Sequence, residues 1–493
     1  MKRASGILLS VTSLPSKYGI GCLSKSAYEF ADWLKSAGQS YWQILPLGVT
    51  GYGNSPYQSF STFAGNPYMI SLEALIDDGL LTSDECDKVD FGSNSECVDY
   101  GALYKNRYPL LKLAYSRSDI GNNSEYLAFV NKNNFWLSDY ALFMAIKDTM
   151  NGAPYFKWEN KLRKRDDFEL AEFSKSHQDD IEFHKFLQFE FYKQWSALKQ
   201  YVNSLGIKII GDMPIYVAHD SADVWANPEL FYLDEQEMPL AVAGCPPDGF
   251  SATGQLWGNP LYDWKYHEST NYVWWQKRLQ AALNLYDIVR IDHFRGFDEY
   301  YAIPYGGKTA INGRWEKGPG AKLFKSARIT DTEKIIAEDL GYMTDSVKEM
   351  LAECGFAGMK IIEFGFDSRD SGENDHLPHN FVKNSVVYTG THDNQTLVSW
   401  FQSISDNERE TAEKYLAAKL DTNKKINDAF ISLAMRSVAD TSIIPMQDWL
   451  VLDDRARMNI PSTLDGNWQW RLKEIPRKEL ANKVLKLTRI FGR

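Results

Sequence analysis

Eight short apolar runs divide this chain of 493 residues, and helical patterns separate most of them. Each run is rich in Val, Ile, Leu or aromatic residues, which suits a strand that is buried on both faces. Strands that alternate with helices favour a parallel sheet, and eight of them predict a single (β/α)8 barrel over residues 1–493. The runs are residues 6–11, 41–47, 207–210, 287–292, 334–340, 359–366, 385–389 and 442–446.

Two long segments interrupt this alternation and are predicted to be insertions in the barrel. Residues 69–205 follow the second run and carry apolar residues at three- and four-residue spacings, which predicts a mostly helical insertion. Residues 213–262 follow the third run and predict a loop-rich insertion. Within it, residues 244–260 suit either a mobile lid over a substrate or a surface loop without function. Little chain follows the eighth run, so no C-terminal β-sandwich domain is expected.

The stretch YDIVRIDHFRGFD, residues 286–298, places two charged groups inside an apolar run. Because strand side chains alternate, Arg290 and Asp292 are predicted to point to the same face. Burying such groups is costly unless they pair or take part in chemistry. The arginine is expected to lower the pKa of Asp292 and keep it ionised, as a carboxylate nucleophile requires. A structural ion pair in the core is the alternative, because such pairs also perturb pKa values.

Acidic residues stand at the predicted ends of four strands. In a (β/α)8 barrel these ends form the rim where active sites lie. Any one of them could cap a helix or form an ion pair, but four on one rim predict a site for either a divalent metal or glycosidic chemistry. No GxxxxGK[ST] phosphate loop occurs, so the aromatic, polar loops favour a sugar. The four are Asp212, Asp292, Glu338 and Asp393.

Two aromatic features near these strand ends have open interpretations. His392, next to Asp393, could bond a sugar hydroxyl or be structural. The loop of residues 48–68 holds Tyr52, Tyr57 and Phe60, which could line a sugar site or pack only on one another.

Composition narrows the functional classes. The formal net charge of -11 argues against a nucleic-acid partner. No run approaches the roughly 20 apolar residues of a membrane span. Residues 6–9 are too short for the apolar core of a signal peptide. Five scattered cysteines without a C-x-x-C pair suit a reducing compartment. We therefore expect a cytoplasmic protein with neither a nucleic-acid nor a membrane partner.

Seven motifs occur together along the chain: GNSPY at 53–57, GDMPIY at 211–216, PPD at 246–248, RIDHFRG at 290–296, AEDLG at 337–341, THDN at 391–394 and MNIPST at 458–463. This combination closely resembles the 4-α-glucanotransferases called amylomaltases or disproportionating enzymes, glycoside hydrolase family 77 of the α-amylase clan. The resemblance runs nearly end to end. As expected for amylomaltases, no Asn-His pair closes the stretch after Asp212, and the missing C-terminal domain also agrees with the family.

The resemblance implies transfer of a 1,4-α-glucan segment to the 4-hydroxyl of an acceptor glucan or glucose, with hydrolysis as a minor side reaction. It makes Asp292 the nucleophile and Glu338 the general acid/base of a retaining double displacement, while Asp393 grips sugar hydroxyls. Retention requires the first two carboxyls to lie about 5–5.5 Å apart. The implied sugar contacts are Arg290, His392, Asp212, Tyr57, Ser55, Trp257, Asp248, Asn459 and Pro461.

The implied partners are maltooligosaccharides and α-1,4-glucans, and neither a metal nor a cofactor is expected. Residues 244–257 and 453–463 are the segments expected to exclude water and favour transfer. Three rivals stay open. A hydrolase would use the same carboxylates, a metal-dependent barrel enzyme would lose activity to a chelator, and a catalytically dead glucan-binding protein would not need three carboxylates.

Overall fold

A closed barrel of eight parallel strands forms the centre of the computed structural model, which describes residues 2–51, 53–247, 251–341, 343–368 and 374–493. The twelve strands of these ranges are β1 (Ala4–Leu8), β2 (Tyr41–Gln43), β3 (Lys208–Met213), β4 (Ala241–Cys245), β5 (Gln255–Pro260), β6 (Ile288–Ile291), β7 (Glu299–Pro304), β8 (Arg314–Lys317), β9 (Ile335–Ala337), β10 (Gly358–Ile361), β11 (Ser385–Tyr388) and β12 (Thr441–Pro445). The barrel order is β10-β11-β12-β1-β2-β3-β6-β9. A parallel bridge between Ile336 and Ala357 closes the ring, so the predicted (β/α)8 barrel is confirmed.

The barrel strands are shorter than several of the apolar runs that predicted them. The run at 334–340 narrows to β9, so Glu338 follows the strand directly. The run at 359–366 narrows to β10, because Glu363–Phe366 forms a 3-10 turn. Most of that turn is buried, so apolar composition alone could not mark where the strand ends. Both glutamates consequently lie at the rim where the strands end.

Helices surround the barrel and fill the connection between β2 and β3. That connection holds α2 (Leu72–Asp77), α3 (Ser83–Asp87), α4 (Tyr100–Arg117), α5 (Ser124–Thr149), α6 (Asn160–Arg163), α7 (Asp167–Ser176) and α8 (Gln178–Ser204). The long helices α5 and α8 pack side by side. In the ranges that the structure describes, no helix has both the length and the apolar character needed to cross a membrane.

The remaining helices lie before β2 and after β3. They are α1 (Lys25–Ser36), α9 (Ala222–Ala226), α10 (Trp264–Ser269), α11 (Val273–Leu285), α12 (Ala321–Ser326), α13 (Asp345–Cys354), α14 (Leu397–Ser403), α15 (Asp406–Leu416), α16 (Asn423–Arg436), α17 (Met446–Trp449) and α18 (Lys478–Ile490). The last of these packs against α1. After β12 the described chain forms helices and turns, and no further strand appears there.

A second sheet lies outside the barrel and was not predicted. Its order is β5-β4-β7-β8 and its pairs are antiparallel. The prediction of a loop throughout 244–260 is wrong at both ends, because Gly244 pairs with Leu256 and Cys245 with Gln255. Strand β5 reads QLWGNP and β8 reads RWEK, and neither shows the apolar alternation that marks a strand.

Candidate active site

A buried arginine lies at the centre of the barrel rim. Arg290 on β6 is in register with Asp212 on β3, so the two side chains share a face. Its Nη1 lies 2.7 Å from both carboxylate oxygens of Asp212, and both side chains are buried. A Cβ on Gly211 would lie 2.1 Å from the ring of Tyr286, so glycine lets that ring pack against β3. Alternation then turns Asp212 towards the arginine.

Two further carboxylates contact the same guanidinium. Nη1 of Arg290 lies 3.2 Å from Oδ1 of Asp292, and Nη2 lies 3.3 Å from Oε2 of Glu338. The backbone N–H of His293, in the left-handed region at φ 46°, donates to Glu338. The side chains of Asp292 and Glu338 are 25% and 15% exposed, whereas that of Asp212 is fully covered. One cation therefore holds one fully covered carboxylate and two that are mostly buried but still reach solvent.

The carboxyls of Asp292 and Glu338 titrate as an interacting pair. Burial is the largest cause and raises the pKa of both groups. Glu338 raises the pKa of Asp292 further, while Arg290 opposes the shift. The expectation that Arg290 would give Asp292 a lowered pKa is therefore wrong in its net direction, because burial outweighs the arginine. A pair of this kind retains one proton to a higher pH than an isolated carboxyl would.

The third acidic residue, Asp393, is fixed by the segment that follows α17. Nδ2 of Asn459 donates to Oδ1 of Asp393 at 2.6 Å, and its backbone N–H donates to the carbonyl of His392. Arg457 donates to the carbonyl of Asp393 at 2.6 Å and to that of Asn459 at 2.8 Å. The turn after β11 is thus tied to the MNIPST segment. Arg457 was not predicted, although it directly precedes that motif.

Aromatic rings form one wall of the site. The hydroxyl of Tyr57 donates to Oδ2 of Asp212 at 2.8 Å, and its ring stacks on His392 with centroids 5.2 Å apart. Trp468 packs against both rings, at 5.7 and 5.8 Å. Burial lowers the pKa of His392, so its imidazole is neutral at pH 7. Trp468 was missed: it adopts φ 63°, and no sequence signal marks a tryptophan in the left-handed region.

A further ring near the carboxylates is that of Trp257, on β5 of the second sheet. Its ring meets His293 edge-on with centroids 4.8 Å apart, which places it beside the residue that donates to Glu338. Gln58 donates to the carbonyl of Trp257 and to the side chain of Asn259. The loop of residues 48–68 and the second sheet are therefore joined next to the carboxylates.

The structure brings together most of the predicted site residues but not all of them. Ser55 accepts a hydrogen bond from the backbone N–H of Tyr57 at 3.3 Å, so its contact is within the loop. Pro461 is exposed. Asp248, Tyr52 and residues 249–250 of the predicted lid lie outside the described residues. The roles of all the predicted site residues, including Ser55, Asp248 and Pro461, stay predictions.

A metal-dependent enzyme would need a divalent cation between the rim carboxylates, and an arginine lies there. The positive charge between Asp212, Asp292 and Glu338 is the guanidinium of Arg290. Within the described ranges, no cluster of three or more His, Cys, Asp and Glu side chains is arranged to hold a metal ion. The arginine thus supplies charge compensation that a divalent cation provides in other carboxylate sites.

Comparisons with known proteins show the family to which the chain is related. The sequence profile of a family described as 4-alpha-glucanotransferase matches residues 9–477. A 4-alpha-glucanotransferase from Clostridium butyricum is 50% identical over 490 residues, covering 98% of this chain and 100% of the relative. One from Streptococcus pneumoniae is 46% identical over 501 residues, covering 100% of this chain and 98% of the relative.

A solved structure supports the same relationship. The amylomaltase from Streptococcus agalactiae in complex with acarbose superimposes with a TM-score of 0.96 at 40% identity, and the match covers 100% of both chains. The likeness therefore includes the insertions as well as the barrel.

Proposed function

Because the chain belongs to the 4-alpha-glucanotransferase family, a family of glycosyl-transferring enzymes, we propose that it works by a retaining double displacement with Asp292 as nucleophile. It transfers a segment of a 1,4-α-glucan to the 4-hydroxyl of an acceptor glucan or glucose. The observation that carries the mechanism is the contact of one guanidinium with Asp212, Asp292 and Glu338. That contact holds two partly exposed carboxyls together at the rim.

The first step cleaves the donor glucan. Glu338 gives its proton to the glycosidic oxygen of the leaving chain, while an oxygen of Asp292 attacks the anomeric carbon. One carboxyl of the pair must be protonated and the other ionised, and a pair with raised pKa values that shares one proton meets this need. Arg290 stabilises the ionised member and fixes its direction.

The second step releases the glycosyl group from Asp292. The carboxylate of Glu338 takes the proton of the acceptor hydroxyl, and the acceptor oxygen attacks the same anomeric carbon. When the acceptor is a sugar 4-hydroxyl the result is transfer, and when it is water the result is hydrolysis. Trp257, next to His293, offers an apolar face on which an acceptor ring would stack and displace water, which keeps hydrolysis a minor reaction.

Asp393 serves as the third carboxylate of this mechanism. Among the described residues, its side-chain contacts with Asn459 and His392 are both through Oδ1, which leaves the second oxygen for a sugar hydroxyl. Its side chain is 46% exposed, which leaves room for a ring at the rim. The neutral imidazole of His392 and the ring of Tyr57 form the adjoining wall. Hydrogen bonds between Asp393 and the sugar hydroxyls would become stronger as the sugar ring distorts, and this would lower the activation barrier of the reaction.

The activity is tested with purified protein and maltotriose. Products are resolved by chain length while free glucose is assayed, with and without a chelator. We expect a ladder of longer maltooligosaccharides together with glucose in both samples. Glucose and maltose without longer chains would instead show a hydrolase, loss of the ladder on chelation would show metal dependence, and no product at all would leave a glucan-binding protein.

The covalent step is tested with azide and α-maltosyl fluoride, a donor whose leaving group needs no acid. In Glu338→Ala, azide should attack the glycosyl-enzyme and give an α-linked azide, because two inversions occur. In Asp292→Ala, azide in the emptied space should attack directly and give a β-linked azide. The same anomer from both variants would contradict the assignment of the two carboxyls.

A further inference from the structure

A second glutamate at the rim, Glu363, lies directly behind the turn that presents Asp393. It follows β10 by two residues and is buried, with only 4% of its surface exposed. A Cβ on Gly390, which precedes the turn, would lie 2.9 Å from Oε1 of Glu363. The carboxyl of Glu363 therefore packs directly against the backbone of Gly390, the residue before the THDN motif.

The side chain of Asn394 connects Glu363 to that turn. Oδ1 of Asn394 accepts from the backbone N–H of Thr391 at 2.9 Å and from its hydroxyl at 2.8 Å, which closes the turn around His392 and Asp393. The amide group of Asn394 also interacts with the carboxyl of Glu363, and a Cβ on Gly390 would lie only 3.0 Å from Cβ of Asn394 as well as against Oε1. Glu363 therefore packs beside the side chain that closes the turn.

The surroundings of Glu363 favour its neutral form. Burial, and after it the carboxylate of Asp448, raise its pKa well above the ordinary value, and Asp454 adds to this. The amide of Asn394 and the guanidinium of Arg457 act in the opposite direction and lower the pKa of Glu363. Oε1 has no hydrogen-bond partner among the described residues, and an ionised oxygen left so would be costly.

We propose that Glu363 is a positioning residue for glucan transfer, which acts through Asn394 to hold the Thr391–Asn394 turn and thereby Asp393. The inference rests on the proposed role of Asp393. Glu363 touches no reacting atom; it offers a neutral oxygen to the amide. Small displacements of a group that stabilises a transition state lower kcat by up to about 100-fold, while ground-state binding suffers less.

The test compares Glu363→Gln with Glu363→Leu in maltotriose disproportionation. Glutamine keeps the carbonyl oxygen and, like the protonated glutamate, carries no charge, so we expect kcat within about threefold of wild type. Leucine fits the space without the oxygen, and we expect kcat to fall about 10- to 100-fold with KM nearly unchanged. Glu190→Leu removes a buried carboxyl in α8, outside the site, and should leave kcat unchanged whatever it does to Tm.

Coupling to Asn394 is tested by a double-mutant cycle. Asn394→Ala should lower kcat at least tenfold, and adding Glu363→Leu should lower it no further, because both changes act through one amide. Wild-type kcat in Glu363→Leu, an equal loss in Glu363→Gln, or additive losses would overturn the inference. Should Glu363→Leu not fold, Asn394→Ala decides alone, and a loss below threefold would reject the proposal.

Failure of this inference is distinguishable from failure of the proposed function. Wild-type protein that makes no ladder from maltotriose would reject the function itself. Asp393→Asn with wild-type turnover would reject the role of Asp393. A wild type that makes the ladder and an Asp393→Asn variant that does not, together with unaffected Glu363 and Asn394 variants, would reject only the role of Glu363.

Discussion

The barrel rim carries two clusters of carboxyl groups, and in the described part of the chain only one of them has an arginine as partner. In the first, Arg290 contacts Asp212, Asp292 and Glu338 within 3.3 Å. In the second, Glu363 and Asp448 are buried, and among the described residues neither forms an ion pair. Asp448 instead accepts from the hydroxyl of Thr389 and the backbone N–H of Leu397, and burial raises its pKa to about 6.

The difference shows how one fold assigns two uses to the same chemical group. Beside an arginine and partly open to solvent, a carboxyl is held ready to carry charge or move a proton. Without a cation and sealed from water, a carboxyl keeps its proton to a higher pH than an ordinary one and serves as a hydrogen-bonding group. Substitution of the acids and their partners in both clusters tests whether the charge of a carboxyl is needed for turnover only in the first cluster.

The largest effect is expected from Asp292→Asn. The amide cannot form the glycosyl ester, so kcat should fall about 10⁴-fold, which corresponds to roughly 5 kcal/mol of transition-state stabilisation. Because the side chain keeps its shape, Tm should change by only a few degrees. Initial rates with maltotriose and a thermal melt measure the two quantities.

Glu190→Gln is the matched control for Asp292→Asn, since it also converts a buried acid to its amide but lies on α8. It should keep wild-type kcat. Turnover of Asp292→Asn within tenfold of wild type would show that the first cluster is a structural ion-pair network.

A smaller loss, about 100-fold in kcat, is expected from Arg290→Lys. An ammonium keeps the charge but cannot contact three carboxylates at once. Arg290 lowers the pKa of both Asp292 and Glu338, so a weaker contact lets both pKa values rise. The acid limb of the pH dependence of kcat/KM should therefore move to higher pH. An unmoved acid limb would mean that the arginine does not tune the pair.

Much of the fold was predictable, because the periodicity of eight apolar runs depends only on local sequence. The second sheet was not, since β5 and β8 are half exposed and their pairing with β4 and β7 is set by tertiary contacts. Strand ends were also misplaced where apolar residues continue into a turn, as at Glu363–Phe366.

The candidate site was also predictable in part. The alternation of side chains placed Arg290 and Asp292 on one face, and the strand ends placed the carboxylates on one rim. The net pKa of Asp292 was wrong, because sequence shows the neighbouring arginine but not the depth of burial. Trp468 was missed, because its packing against Tyr57 and His392 depends on a backbone conformation that its sequence does not indicate.

A tenfold loss of kcat/KM is expected from Tyr57→Phe. The change removes the donor to Oδ2 of Asp212, and leaving one oxygen of a buried carboxylate without that donor costs about 1–3 kcal/mol. The ring remains stacked on His392, so the wall of the site is kept. Tyr57→Leu removes the ring as well and should raise KM further. Equal KM values for the two variants would show that the ring does not contact sugar.

The smallest effect on turnover is expected from Asp448→Asn in the second cluster, where kcat should stay within threefold of wild type. Stability should respond to pH instead.

The folded-state pKa of Asp448, about 6, exceeds the ordinary value of 3.8, so protonation stabilises the folded chain. This contribution is complete below the ordinary pKa and is lost as pH rises through 6. The unfolding free energy of wild type relative to the variant should fall by about 2 kcal/mol from pH 4 to 7, measured by denaturant titration at several pH values. Asp223, which is also buried with a pKa raised to about 6, is present in both proteins and cancels in the difference. A difference that does not change with pH would mean that folding does not raise the pKa of Asp448, and burial without a cation would then not distinguish the second cluster.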